Sequence, residues 1–153
     1  MLSLPKKATL VSGSAEGATK LNALDNALID AGIGDFNLIK VSSILPKGTV
    51  IVDLPKIEAG TLVPCVLAKR ISDTRGQKIS ASIVVALSEN GMGVIAENSG
   101  AGISKGESYE KALEAARNML MRRGLKLKEI RHVSREHTVE NIGAVVAALV
   151  FFR

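Results

Sequence analysis

The run LVPCVLAKRISDTRGQKISASIVVALS, Leu62 to Ser88, decides the architecture. Leu62 to Ser72 and Lys78 to Ser88 both read as strands. Asp73-Thr74-Arg75-Gly76 between them has the chemistry of a hairpin turn. Working outward, Glu89-Asn90-Gly91 is a further turn and Gly93 to Glu97 a further strand. Ser104 opens a helix that runs to about Arg123; Ser104 and Glu107 have capping-box spacing, and Gly124 stops it. Two last strands cover roughly Leu127 to His137 and Ala144 to Phe152. On the N-terminal side, Lys7 to Ser12 reads as a strand ended by Gly13-Ser14. A helix follows from about Ala18 to Ala31, with Leu21, Leu24, Leu28 and Ala31 at helical spacing and Gly32 as a left-handed cap. Phe36 to Val41 is a strand that runs straight into Ser42-Ser43. Pro46-Lys47-Gly48 turns the chain, and Thr49 to Asp53 is a short extended piece. Two helices among six or more strands, not strictly alternating, predict an α/β sandwich with the helices outside the sheets.

The chain of 153 residues fits one domain, and 46% hydrophobic with 23% charged residues describes an ordinary soluble protein. No apolar run approaches the ~20 residues a membrane span needs. Met1 to Lys7 lacks the apolar segment of a secretory signal, so the expected location is cytoplasmic. Cys65, alone, excludes an intrachain disulfide, and in its apolar run it reads as a small packed hydrophobe.

The net charge of +5 raises nucleic acid as a partner. Arg122, Arg123, Lys126, Lys128 and Arg131 form the one candidate patch. Most of them sit at or just past a helix C-terminus, where they complement the dipole without any partner. With no Trp and one Tyr there is little for base stacking, so no nucleic acid is expected. His132 and His137 have no Asp or Cys companion at metal-ligand spacing, so no metal is expected either. Gly100-Ala101-Gly102-Ile103-Ser104-Lys105-Gly106 matches neither phosphate-loop spacing.

Ser42-Ser43 carries the sharpest chemical alternative. Two hydroxyls at a strand end ordinarily make a turn. If the backbone is held in a strained geometry, a serine hydroxyl can instead attack the preceding carbonyl and convert the amide to an ester. Elimination and hydrolysis would then leave a ketone in place of the serine. Such a ketone condenses with an amine and drains electrons from the bond being broken, as pyridoxal phosphate does.

Asn37-Leu38-Ile39-Lys40-Val41-Ser42-Ser43-Ile44-Leu45-Pro46 resembles the processing segment of pyruvoyl-dependent arginine decarboxylases. Val11 to Gly17 and Leu21-Asn22-Ala23-Leu24-Asp25 resemble that family upstream of the cut. Leu62-Val63-Pro64, Ile71-Ser72-Asp73 and Gly93-Val94-Ile95-Ala96-Glu97 do so downstream, and Glu136-His137-Thr138-Val139-Glu140 with Gly143 near the C-terminus. The resemblance follows nearly the whole chain in order.

The resemblance implies a single domain, 1–153, cut into a β chain of residues 1–42 and an α chain of residues 43–153. Ser43 would become the covalently bound pyruvoyl group. Asn37 matches an asparagine that assists processing, by hydrogen-bonding the Ser42 carbonyl under attack. Glu97 matches the proton donor to the α-carbon once CO₂ has left, a role that burial of a carboxyl would serve. Asp25 matches the residue that holds the substrate guanidinium, for which a bidentate carboxylate is suited. Ser42, as the new chain end, would border the site. The family fold is a four-layer α-β-β-α sandwich, assembled as an (αβ)₃ trimer with sites between neighbouring protomers. The implied reaction converts L-arginine to agmatine and CO₂, a step of polyamine biosynthesis. The same chemistry on another amino acid, or a non-enzymatic homologue acting as a structural subunit, stays open at this point.

From the residues alone, Glu97 reads as a solvated strand-end carboxylate and Asp25 as an exposed helical one. His137 has no catalytic role to assign.

Overall fold

Ile79 to Ala86 is apolar or small without alternation, and a strand of that kind needs cover on both faces. The computed structural model, which describes residues 3–153, provides it. In chain order the elements are β1 (Lys7–Glu16), α1 (Lys20–Asp30), β2 (Asn37–Lys40), β3 (Ile44–Leu45), β4 (Val50–Ile51), β5 (Leu62–Ser72), β6 (Lys78–Ser88), β7 (Gly93–Ala101), α2 (Lys105–Arg122), β8 (Leu127–Thr138) and β9 (Gly143–Phe152). Strands β2-β5-β9-β1-β4 form a five-stranded sheet, and β3-β7-β6-β8 a four-stranded one.

Three buried clusters follow from the period-2 alternation of side chains along the strands. Ile83 and Val85 of β6 meet Val66, Ala68, Ile95, Val145 and Leu149 in a cluster that both sheets share. Val84 and Ala86, on the opposite face of β6, pack with Ala112, Ala116 and Leu120 of α2. Ala144, Val146 and Ala148 of β9 pack with Ala23, Ala27 and Ala31 of α1. The molecule is therefore a mixed α/β sandwich of two sheets and two helices.

The Asp73–Gly76 turn does not make a hairpin. β5 pairs with β2 and β9, whereas β6 pairs with β7 and β8, so the turn carries the chain from one sheet to the other. Turn residues fix a local reversal, but not whether the returning strand hydrogen-bonds beside its predecessor or stacks over it. Here both strands have apolar residues on two faces, which suits stacking.

Four further boundaries differ from the expected ones. β1 continues through Gly13-Ser14 to Glu16, because β9 pairs with it along its whole length. Gly13 serves close approach: a Cβ there would collide with the Ala27 carbonyl and the Ala31 amide of α1. β7 runs past Glu97 to Ala101, held by pairing with β6 as far as Ile79. β3 is an unforeseen strand, paired with β7 through Ile44–Val94 and Leu45–Gly93. In α1, Thr19 is the N-cap, its Oγ1 accepting from the Asn22 amide at 3.1 Å. The buried stripe of α1 is Ala23, Ala27 and Ala31, and Leu21 is 75% exposed. Small side chains let the helix approach the sheet, which turns the larger Leu21 outward. Gly32, at φ +84°, and the Ser104 cap of α2 agree with the sequence reading.

Candidate active site

The chain changes sheets at Ser42-Ser43. β2 lies at the edge of the five-stranded sheet and β3 at the edge of the four-stranded one, and the two serines bridge them. On the upstream side the Val41 N–H donates to the Cys65 carbonyl of β5 at 2.9 Å. On the downstream side the Ser43 carbonyl accepts from the Ile95 N–H of β7 at 2.8 Å. Leu45, fully buried in the cluster between the sheets, fixes the chain beyond. The bond between Ser42 and Ser43 is thus tethered from two separate sheets. Among the described residues no non-glycine residue has a positive φ. The restraint here comes from tethering and not from left-handed backbone.

Glu97 lies two residues beyond Ile95 on β7, opposite Ile83 of β6, and so on the same face of the strand as Ile95. That alternation brings its carboxyl to the neighbourhood of Ser43. Glu97 is exposed in the single chain, yet the partly screened setting of its carboxyl raises it above its ordinary value, while the Lys40 ammonium works to lower it. Cys65 is buried in the cluster under α1, its thiol pushed up by burial. It packs as the small hydrophobe its setting suggested.

Asn37 and Asp25 lie elsewhere in the chain. The Asn37 amide donates to the Gly60 carbonyl at 2.9 Å, and its backbone N–H to the Thr61 carbonyl at 2.9 Å. Four residues separate it from Ser42, the first three of them in β2. Its side-chain amide is thus bonded to the Gly60 carbonyl of the neighbouring loop. Asp25 is exposed on α1 and has no ion pair among the described residues. Its helix packs on the face of the five-stranded sheet that points away from the four-stranded sheet.

The Glu136–Gly143 segment has a structural explanation. The Glu16 carboxylate at the end of β1 accepts from the Asn141 amide at 2.7 Å and the Glu140 amide at 3.2 Å. Its other oxygen lies 2.5 Å from His137 Nε2. Burial works to raise the Glu16 carboxyl, but the Asn141 amide, the His137 ring and the Glu140 amide together hold it below its usual range. A Cβ on Gly143 would strike Glu16 Oε2 and the His137 ring. His137 therefore ties β1 to the β8–β9 turn. Glu136 accepts from the Lys105 amide at 2.9 Å, and Arg135 pairs with Asp30 at 3.1 Å. Of the basic cluster, Arg123 donates to the Met119 carbonyl at 3.0 Å, at the end of α2.

A family model described as pyruvoyl-dependent arginine decarboxylase matches residues 7–153. The chain belongs to that family. Curated relatives of the same name are similar over nearly their full length. The protein of Methanothermobacter thermautotrophicus is 48% identical over 145 residues, covering 95% of each chain. That of Methanocaldococcus jannaschii is 45% identical over 147 residues, 95% of this chain and 88% of its own. That of Pyrococcus furiosus is 46% identical over 152 residues, 97% of this chain and 96% of its own.

Proposed function

We propose that this member of the family is a pyruvoyl-dependent arginine decarboxylase that cuts itself between Ser42 and Ser43 and releases agmatine and CO₂ from L-arginine. The observation that carries the reading is the tethering of the serine pair across two sheets with Glu97 alongside.

In the cut, Ser43 Oγ attacks the Ser42 carbonyl carbon and the peptide C–N bond breaks, leaving an ester and a free amine. Elimination frees the Ser42 carboxylate, and hydrolysis of the remaining enamine expels ammonia. Residue 43 suits the group that forms there. Its own carbonyl is bonded to Ile95, and Ile44 is paired with Val94, so both contacts survive the cut and keep the new chain end beside Glu97. The other end stays bound to β5 through Val41. When formed, the pyruvoyl group supplies the carbonyl that takes up the substrate amine and the electrons released with CO₂.

The chain's own residues do the rest. Glu97, its carboxyl raised by burial, keeps a proton to higher pH than a free carboxylate and delivers it to the α-carbon. Asp25 receives the guanidinium through two oxygens. Asn37 acts on the cut by holding the start of β2 against Gly60.

Assembly joins the two halves of the site. Ile39, Val41 and Ile44 are 45%, 42% and 38% exposed around the serine pair. Leu21 and Ile29, four residues either side of Asp25, are 75% and 55% exposed on α1. Two exposed apolar surfaces, each bearing part of one site, favour a trimer of αβ units in which α1 of one protomer closes the serine region of the next. The four-layer α-β-β-α order of the family and a cytoplasmic location belong to the same proposal. No helix among the described residues is long and apolar enough to cross a membrane.

The test is an assay with L-arginine labelled at the carboxyl carbon. Labelled CO₂ with equimolar agmatine is expected. Turnover of a neutral or acidic amino acid in preference to arginine would overturn the substrate while leaving the self-cut intact.

A further inference from the structure

On β8, Arg131, Arg135 and His137 share the face turned toward the five-stranded sheet, in register with Val85, Ala81 and Ile79 of β6. Two of the three meet acids there: Arg135 pairs with Asp30 and His137 with Glu16. Arg131 has no ion pair among the described residues. It lines instead a cleft of about 550 Å³ on the β4 and β8 side of the sandwich, the side away from β2 and β3 and the serine pair.

The path of the chain makes this cleft. β4 covers β1 at two residues only, Lys7 and Ala8. The chain then leaves the edge for α1, where Leu54 lies over Gly32 and joins the cluster beneath the helix. Past Ala8, the outer edge of β1 has no strand beside it. On that edge the Ala8 carbonyl accepts from the Val52 N–H, and the Ser14 N–H donates to Asp30 at 2.9 Å. By the two-residue period of a strand, the main-chain groups of Leu10 and Ser12 face the same way. Thr9, 3% exposed, also lines the cleft, and its hydroxyl has no hydrogen-bond partner among the described residues. Asp53 enters from the departing segment as Arg131 enters from β8, and it too has no ion pair among the described residues. Leu10, Ile51 and Leu54 supply apolar lining.

We propose that this cleft binds a small carboxylate that also carries a cation, an amino acid of the arginine kind, at a site separate from the one that decarboxylates. Arg131 offers its planar fork to the carboxylate, and Asp53 takes the guanidinium or ammonium. The methylenes between lie on Leu10, Ile51 and Leu54, with the Thr9 hydroxyl and the open edge of β1 supplying further hydrogen bonds. An amine without a carboxylate keeps the Asp53 contact alone, so the cleft tells an amino acid from the amine that decarboxylation leaves. None of this depends on how Ser42-Ser43 reacts.

The test uses two probes, agmatine and δ-guanidinovalerate. The second is arginine without its α-amino group, so it cannot condense with a ketone. Each is titrated into ¹⁵N-labelled purified parent protein and followed by NMR at the amides of Leu10 and Ser12. Saturable shifts are expected at both amides with δ-guanidinovalerate, and agmatine should bind about tenfold more weakly, the scale of one lost charge-assisted contact. Arg131→Gln and Asp53→Asn should each weaken δ-guanidinovalerate by about the same factor. Both positions are exposed, so the amide spectrum should otherwise stay that of the parent. An absence of saturation at millimolar δ-guanidinovalerate overturns the proposal, as do equal affinity for agmatine and an isotherm unmoved by Arg131→Gln. Shifts confined to α1 around Asp25 would overturn it as well, placing the ligand in the decarboxylation site alone. A changed oligomeric state in Arg131→Gln with no ligand-dependent shift in the parent would overturn it and make this face a subunit contact.

Discussion

The carbonyl of Ser43, the residue just ahead of β3, and the amide of Ile95 in β7 are joined by a 2.8 Å hydrogen bond. The bond involves backbone atoms alone, so it outlasts any chemistry at the Ser43 hydroxyl. It places Ser43, the proposed site of the pyruvoyl group, beside Ile95, two positions from Glu97.

Glu97→Gln should still cut itself but turn over at least about 100-fold more slowly, since the amide keeps the shape and loses the proton. In the parent, kcat should fall as pH rises through the raised Glu97 value, because the acid must be protonated to act. A carboxyl raised in the folded state also weakens folding as pH climbs from its unfolded to its folded value. The variant should therefore be the more stable form above that window, as read by the thermal midpoint. Full turnover with the parent's pH profile would remove Glu97 from the mechanism.

Asn37→Ala should slow the cut without unfolding the protein. It removes the amide bond to the Gly60 carbonyl and loosens the start of β2. A neutral hydrogen bond of this kind contributes about 0.5–1.5 kcal/mol, enough for a rate change of a few-fold to tenfold if the tether holds the reactive geometry. The measurement is the time course of the single band on a denaturing gel. A course identical to the parent's would confine Asn37 to the loop it binds.

Asp25→Asn should leave the cut intact and reduce kcat/KM for arginine by about 30-fold or more, the scale of losing one partner of a charge-assisted pair. Asp25 is exposed and has no ion pair among the described residues, so little stability should change. Ornithine, lacking the planar fork, should be a poor substrate for the parent. Parent-like efficiency toward arginine in the variant would relocate the guanidinium.

Much of this molecule was legible in its residues, for identifiable reasons. Ser104 with Glu107, and Gly32, mark helix ends because capping chemistry is local. The strand cores at Leu62–Ser72 and Lys78–Ser88 were plain from their apolar runs. What escaped was non-local. Nothing in Asp73–Gly76 distinguishes a turn within a sheet from one between sheets. Gly13 reads as a breaker until α1 is seen packed on it. Leu21 looked like core, and an alanine stripe displaced it. Ser43 and Glu97 are near each other because β3 pairs with β7, a two-residue strand that periodicity cannot reveal. His137 became intelligible once Glu16, 121 residues away, was found beside it.

Gly143→Ala should destabilise the fold by about 1–3 kcal/mol, since a methyl group there displaces Glu16 or His137. Glu16 adds a pH dependence. Its folded value is depressed, so its contribution is complete above the unfolded value and is lost as pH falls through the folded one. Glu16→Gln should lower stability at neutral pH and flatten its acid limb below about pH 4.5, as followed by denaturant midpoints. An acid limb unchanged from the parent's would assign the loss to other carboxylates.

The central claim is that residue 43 is remade by its own chain, and intact mass spectrometry of the purified protein tests it most directly. Two chains are expected, residues 1–42 and a second beginning at position 43. The second should be lighter by one ammonia than a chain starting with free serine, and Ser43→Ala should give a single chain. A parent protein that stays one uncut chain after prolonged incubation at its working temperature would contradict the account.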